Sequence, residues 1–436
     1  MKQYAIACLG CKVNTTEAEG IREALNKSGY QETSFKEVAD IYLILTCAVT
    51  NVASGKSRQK INQALRQNRK AIIGVIGCYV QVSADEIKEN EDIDILVGSS
   101  HKDKVPELIE RVLQTNEKQI VIDDVRKNAK FEALNVSHFE HKTRAYLKVQ
   151  DGCNQFCSYC IIPYARGKER SLDLREVCTQ AQQLSKNHQE IVLAGIHTGR
   201  YGQDQNSSLS CCIQEIMKSA PELGRLRISS IEVTEIDDFL LEMMNRTSVL
   251  AHHLHIPLQS GCDSVLKRMN RPYTTQEFYY KIQEIRQKVP HISISTDLIV
   301  GFPQETEEEF NQTVEFLKKC KFSFLHVFPF SAKKGTVAEN FENQIAPDEK
   351  KRRVKVCSDL SVELYRDYQE KFIQKPLEVL VEKYNNGSSF GYSSEYLPVF
   401  IEGKHTQNKI VKVVCERIES SGVVAVIKEE KSDEAK

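Results

Sequence analysis

The chain has 436 residues and a formal net charge of −1. That length exceeds one ordinary domain and predicts two or three, while the near-zero charge excludes a globally basic nucleic-acid binder and leaves only local patches to hold phosphate. Fourteen cysteines spread along the chain exclude a small disulfide scaffold and predict a cytoplasmic protein that uses some thiols as metal ligands.

The apolar start, residues 4–9, is too short for a signal segment or a membrane span, so no membrane association is expected. Residues 4–9, 41–45, 71–76 and 93–97 are short apolar runs suited to buried parallel strands. Helical patterns at 17–28, 53–68, 83–89 and 104–113 separate them, which predicts an α/β domain with a parallel sheet. A cysteine follows each of the first three strands. Cys11 stands in Leu9-Gly10-Cys11-Lys12-Val13-Asn14, Cys47 in Leu45-Thr46-Cys47-Ala48, and Cys78 in Ile76-Gly77-Cys78-Tyr79. Loops at the carboxyl ends of such strands converge on the ligand crevice. Three thiols can therefore meet there and hold a metal cluster; the plainer alternative is three small buried residues. Cys8 falls inside the first strand and reads as structural.

Residues 119–143 read as a linker. They hold a strand-like Ile120-Val121-Ile122 and then a polar stretch with solvated His138 and His141. A strand pattern at 145–150 follows, and then Asp151-Gly152-Cys153-Asn154-Gln155-Phe156-Cys157-Ser158-Tyr159-Cys160. This is a C-x3-C-x2-C run. A fully protein-ligated four-iron cluster takes four cysteine thiolates, so Cys153, Cys157 and Cys160 can hold three irons and leave the fourth open to a ligand. Zinc wants a second ligand pair, and none lies nearby; Cys178 falls in a helical pattern. Arg166 and Arg170, just beyond, suit either phosphate contact or surface ion pairs.

Strand patterns recur at 190–194, 226–231, 254–258, 293–300 and 322–328. Thr274 with Glu277 and Thr306 with Glu309 form capping boxes for two of the helices between them. Six strand–helix units predict a partial (βα)6 barrel with function at the strand C-terminal ends. A helix over 350–372 opens on four basic residues. Strand patterns at 377–381, 396–401, 410–414 and 423–427 then predict a small antiparallel β-barrel. From residue 373 onward there are 9 Lys and Arg against 10 Asp and Glu, so this barrel is not basic. Phe390, Tyr392 and Tyr396 are candidates for base stacking. Residues 428–436 read as a disordered charged tail.

Three strand-end cysteines followed by C-x3-C-x2-C, with Tyr159 before the last cysteine, resemble the methylthiotransferase family of radical S-adenosylmethionine (SAM) enzymes. The resemblance implies domains at 1–118 (auxiliary cluster), 144–372 (radical SAM) and 373–436 (TRAM-like, RNA-binding), joined by the 119–143 linker. It implies two [4Fe-4S] clusters, an auxiliary one on Cys11, Cys47 and Cys78 and a SAM-binding one on Cys153, Cys157 and Cys160. SAM chelates the open iron of the second and is reduced to a 5′-deoxyadenosyl radical. By the same analogy Gly195, Glu232, Gln259 and Gly301 bind SAM. The implied substrate is N6-threonylcarbamoyladenosine at position 37, in a tRNA anticodon loop. The implied partners are an electron donor such as flavodoxin or ferredoxin and a sulfur donor.

Lys12-Val13 (where the isopentenyladenosine branch carries Gln-Met), Gly195-Ile196-His197-Thr198-Gly199 and His326-Val327-Phe328-Pro329-Phe330-Ser331 look most like the threonylcarbamoyl branch. Lys334 departs from it, since Arg is frequent there. The competing readings are the isopentenyladenosine branch, a branch acting on a ribosomal-protein aspartate, and a non-enzymatic RNA-binding protein with structural clusters or zinc.

Overall fold

The computed structural model describes residues 1–49, 51–127 and 130–427; the tail read as disordered lies outside them. The N-terminal part is one parallel sheet in the order Gln31–Glu32, Gln3–Cys8, Ile41–Thr46, Ile72–Gly77, Ile95–Val97, Gln119–Val121. Side chains of a strand alternate between faces, and here both faces are buried. Tyr4, Leu43, Leu45 and Ile76 pack on one side, Ala5, Tyr42, Ile44 and Val75 on the other. That is why these strands read as continuous apolar runs.

Three details differ from expectation. Gln119–Val121 is the sixth strand of this sheet, paired with Ile95–Val97, so the connecting segment begins only after it. The first helix spans Lys12–Lys27, with Cys11 at its N-cap. It starts five residues early, in a turn too polar to read as helical from sequence, although Val13 and Asn14 in it are buried. The helix expected at 83–89 is two short ones, Cys78–Val82 and Ala84–Lys88.

The central part holds six parallel strands in two groups of three. Ala145–Lys148, Glu190–Ala194 and Arg225–Ile228 form one group; His253–His255, Ser293–Val300 and Phe324–Pro329 form the other. A single bridge between Leu226 and Leu250 helps join them. Both capping boxes form. The long helix Pro347–Glu370 closes the series. Its Arg353 is buried on Glu305, so the basic run at its start does not all face outward.

The C-terminal part is a closed five-stranded barrel. The strand missing from the sequence reading is Ser388–Ser393, which pairs with Pro376–Asn385 and Pro398–Glu402. Its serines hid it, since the apolar alternation is carried by only two aromatic rings. Among the described residues no helix is long and apolar enough to cross a membrane.

Glu190 docks this barrel to the central sheet. Its carboxylate accepts from Arg225 at 3.1 Å and Arg227 at 2.8 Å. The two guanidinium groups go on to donate to the carbonyls of Glu378 (2.8 Å), Ser393 (3.0 Å) and Ser394 (3.0 Å) on the barrel. Burial alone would raise the Glu190 carboxyl, but Arg227 and Arg225 outweigh it and hold it at about 2, against an ordinary 4.5. A group depressed in this way stabilises the fold above its unfolded value and loses that contribution as pH falls toward its folded one. Glu190→Gln should therefore lower stability by about 3 kcal/mol or more at pH 7, because it leaves two buried cations without their counter-charge. Urea unfolding should show the deficit shrinking as pH drops from about 4.5 toward 2; a deficit independent of pH would contradict this.

Candidate active site

Three loops of the N-terminal sheet meet at one point. Gly10 turns with φ +101°, and a Cβ there would stand 2.7 Å from Cβ of Cys47. Only glycine lets the two loops approach this closely. Asn14 donates to the carbonyls of Leu9 at 2.6 Å and Thr46 at 2.9 Å. The Thr46 hydroxyl donates to Ile76 at 2.7 Å. First loop is thus laced to second and second to third, which holds Cys11, Cys47 and Cys78 together. Burial pushes the Cys47 thiol up to about 11 and raises Cys11 as well. A metal binding here must displace protons, so its affinity would rise with pH.

The second triad sits on the loop after Ala145–Lys148. Gly152 has φ +75°, and any side chain there would overlap the Lys168 backbone. The loop is pinned from across the barrel. Ser158 N–H donates to Met269 at 3.1 Å, its hydroxyl to Arg268 at 2.8 Å, and Asn270 to the Phe156 carbonyl at 3.0 Å. Two cationic side chains reach the sulfurs. Arg271 donates to Sγ of Cys157 at 3.3 Å and pairs with Glu232. His197 Nδ1 lies 3.4 Å from Sγ of Cys153, with its Nε2 2.7 Å from Glu235. Burial would lower the His197 value, but contacts to Cys153, Glu169 and Glu235 outweigh it and hold it up at about 12. Burial also pushes the Cys160 thiol up to about 12.

Arg166 joins the two triads. It is fully buried, on the helix Ile162–Arg166 that follows Cys160. Its Nε donates to Sγ of Cys78 at 3.1 Å; its other nitrogens reach Glu17 at 2.6 Å, Asn14 at 2.8 Å and Asp151 at 3.5 Å. Cys78, Ala48, Ile161 and Ala165 pack together around it. Arg170 is also buried, 3.0 Å from Asp151. Neither arginine is at the surface, so neither the phosphate nor the surface ion-pair expectation holds. Each is committed to buried carboxylates.

Beside the first triad opens a cavity of about 740 Å³, and of the six cysteines Cys11 alone lines it. Cys11 and Lys12 line one wall, and Gly195, Ile196 and Ile162 the wall beside the second triad. His253, His255, Asp297 and His326 line its barrel side, and the C-terminal barrel closes it with Tyr392 and Tyr396. Those two rings stack on each other at 5.0 Å, and Tyr396 stacks on His253 at 4.8 Å. Phe390 packs on Phe400 at 5.1 Å and edge-on against Tyr392 at 5.2 Å. Of the residues read as SAM-binding, Gly195 lines the cavity. Glu232 lies behind it, tied through Arg271 to Cys157. Gln259 sits at φ +69° with its N–H on the Asp297 carbonyl. The Gly301 N–H is taken by Glu305 at 2.5 Å. The reading from sequence missed Arg271 and the roles of His197 and Arg166 on the sulfurs. Nothing in their local pattern sets them apart.

Residues 3–98 match the family described as Uncharacterized protein family UPF0004, and residues 147–317 match the Radical SAM superfamily. Threonylcarbamoyladenosine tRNA methylthiotransferase MtaB of Bacillus subtilis is 40% identical over 429 residues, spanning 97% of this chain and 95% of its own. The chain belongs to the radical SAM methylthiotransferase family. The enzyme of the same name from Aquifex aeolicus is 35% identical over 94% of this chain and all of its own. A tRNA-2-methylthio-N(6)-dimethylallyladenosine synthase of Thermotoga petrophila is 32% identical over 92% and 91%. Among solved structures, the radical SAM methyltransferase TsrM from Kitasatospora setae aligns with a TM-score of 0.54 at 11% identity, over 75% of each chain. That likeness bears on the fold alone. As a radical SAM methylthiotransferase, the chain is an enzyme that takes [4Fe-4S] clusters and SAM.

Replacing Arg166 with Met leaves buried oxygens of Glu17 and Asn14 without their donor, while Lys102, Lys148 and Arg170 still answer the carboxylate charge. The expected loss is about 1–3 kcal/mol, seen as a lower midpoint of thermal unfolding and faster proteolysis of the connecting segment. Arg166→Lys should recover only part, because one ammonium cannot serve the sulfur, Glu17 and Asn14 together. Full stability in Arg166→Met would contradict the clamp.

Proposed function

We propose that this enzyme converts N6-threonylcarbamoyladenosine at position 37 of tRNA to its 2-methylthio derivative. The observation that carries the reading is one cavity lined by Cys11 and Lys12 on one side and by Ile162, Gly195 and Ile196, neighbours of the second triad in the chain or fold, on the other. Cys11, Cys47 and Cys78 would hold one cluster; Cys153, Cys157 and Cys160 would hold the other. Each set offers three thiolates and leaves one iron free for a further ligand. The surroundings fit an anionic iron–sulfur group. Arg166 donates to Cys78, Arg271 to Cys157, and His197 abuts Cys153. Hydrogen bonds to the sulfurs and nearby charge are what tune such a cluster.

When bound, the clusters and SAM supply the electron, the methyl group and the sulfur of the reaction. The chain's own residues do the positioning. Ile162, Ile196, Val13 and Val49 line the cavity with apolar surface, which excludes water where a reactive carbon species must not be quenched. Gly195 leaves backbone room for the SAM amine. Glu232 and Gln259 are assigned to its ribose or methionine atoms, and Gly301 to the adenine side. A target base must leave its stack to enter, which suits an unpaired anticodon-loop purine. The reading requires an external one-electron donor, of the flavodoxin or ferredoxin kind, and a sulfur donor. It also puts the enzyme in the cytoplasm, with the C-terminal barrel as an RNA-binding element.

The test is anaerobic incubation of the reconstituted protein with reductant, SAM and tRNA, followed by nucleoside mass spectrometry. Methylthio-threonylcarbamoyladenosine should appear, and should vanish when either triad is replaced by Ala. Product from tRNA bearing isopentenyladenosine alone would overturn the substrate assignment, and loss with only one triad would overturn the two-cluster assignment.

A further inference from the structure

Among the described residues the cavity holds one cation with no carboxylate to answer it. Arg144 is paired with Glu382 at 2.7 Å and lies over the Tyr392 ring. Arg227 is spent on Glu190 at 2.8 Å and on barrel carbonyls. His255 faces Asp297 at 3.3 Å. Lys12 also lines the cavity and is exposed to it. Among the described residues no carboxylate lies within ion-pair reach of its ammonium.

Lys12 has two further properties. It is the first residue of the sixteen-residue helix Lys12–Lys27, where unpaired N–H groups and the helix dipole favour an anion. It also follows Cys11 directly, so whatever it binds lies at the auxiliary triad. An unpaired ammonium in a part-desolvated pocket is costly, and it is relieved when an anionic ligand enters. N6-threonylcarbamoyladenosine carries a free carboxylate on its threonyl group. An alkenyl substituent such as dimethylallyl offers none.

We infer that Lys12 is the specificity residue for the substrate's side-chain carboxylate, binding it at the N-terminus of Lys12–Lys27 beside Cys11. The inference rests on the function proposed above. It adds that the enzyme selects its modified base by charge. A site built to pair with a substrate group rejects the analogue that lacks it, because its own polar group is then left unpaired. An uncharged methyl ester of the threonyl carboxylate should therefore be a poor substrate of the wild-type enzyme.

The experiment compares tRNA bearing threonylcarbamoyladenosine with the same tRNA after methyl esterification. Both are turned over by wild type, Lys12→Met and Lys12→Arg, with iron content measured on each preparation. The quantity read is the acid-to-ester ratio of kcat/KM. It is taken within one preparation, so incomplete cluster loading cancels. Wild type should favour the acid by about 30-fold or more, the scale expected when one partner of a buried charge pair is lost. Lys12→Met should bring the ratio close to one, mainly through KM, and Lys12→Arg should restore most of it. An unchanged ratio in Lys12→Met would overturn the role of Lys12 while leaving the proposed function standing. Failure of wild type to modify the acid-bearing tRNA at all would overturn both.

Discussion

The arrangement depends on a buried ion network that joins the first two parts of the chain. Glu17 comes from the first helix, and Asp151 and Arg166 flank the second cysteine loop. Lys148 reaches both carboxylates at 2.8 Å. Taking these charges out of water costs several kcal/mol each and is tolerated only when each finds its partner. Burial works against both carboxylates, yet the cations around them hold both well below the usual range. Four buried cations, Lys102, Lys148, Arg166 and Arg170, stand against two fully buried carboxylates, Glu17 and Asp151. Glu132, at the edge, supplies a third. The surplus positive charge sits beside Cys78, where thiolate ligation would bring negative charge.

This makes the auxiliary triad and the barrel mutually dependent. Arg166 cannot donate to Cys78 unless the N-terminal sheet is docked, and Glu17 would keep only Lys102 of its three cations if it were not. The C-terminal barrel is fixed on the same principle through Glu190, Arg225 and Arg227. Two tyrosines of that barrel then close a cavity lined by Cys11 and Lys12 and, toward the second triad, by Ile162, Gly195 and Ile196. The proposed function depends on this closure, since chemistry at two clusters on one base would require both to reach it.

Much of this was legible in the sequence. Continuous apolar strands followed by Cys11, Cys47 and Cys78 reveal a parallel sheet with converging thiols, because strand period and loop position are local properties. The C-x3-C-x2-C run is equally local. The contacts that make the site work are not. Arg166 and Arg170 look like surface residues in a polar stretch, and only tertiary packing against Glu17 and Asp151 buries them. Arg271 and His197 reach sulfurs 114 and 44 residues away in the chain. Ser388–Ser393 escaped notice because its neighbours, not its own composition, make it a strand. Tyr392 and Tyr396, candidates for base stacking, line the cavity stacked on each other, and Tyr396 also stacks on His253.

The central claim is that the two triads hold two clusters facing one cavity. Electron paramagnetic resonance of the reduced, reconstituted protein tests it most directly. Two paramagnets joined through Arg166, which contacts Cys78 and lies on the helix after Cys160, should give a spectrum broadened by their mutual coupling. Replacing Cys11, Cys47 and Cys78, or Cys153, Cys157 and Cys160, should leave a simple single-cluster signal. If the wild-type spectrum is instead the plain sum of the two single-triad spectra, the clusters do not share one cavity and the account is wrong.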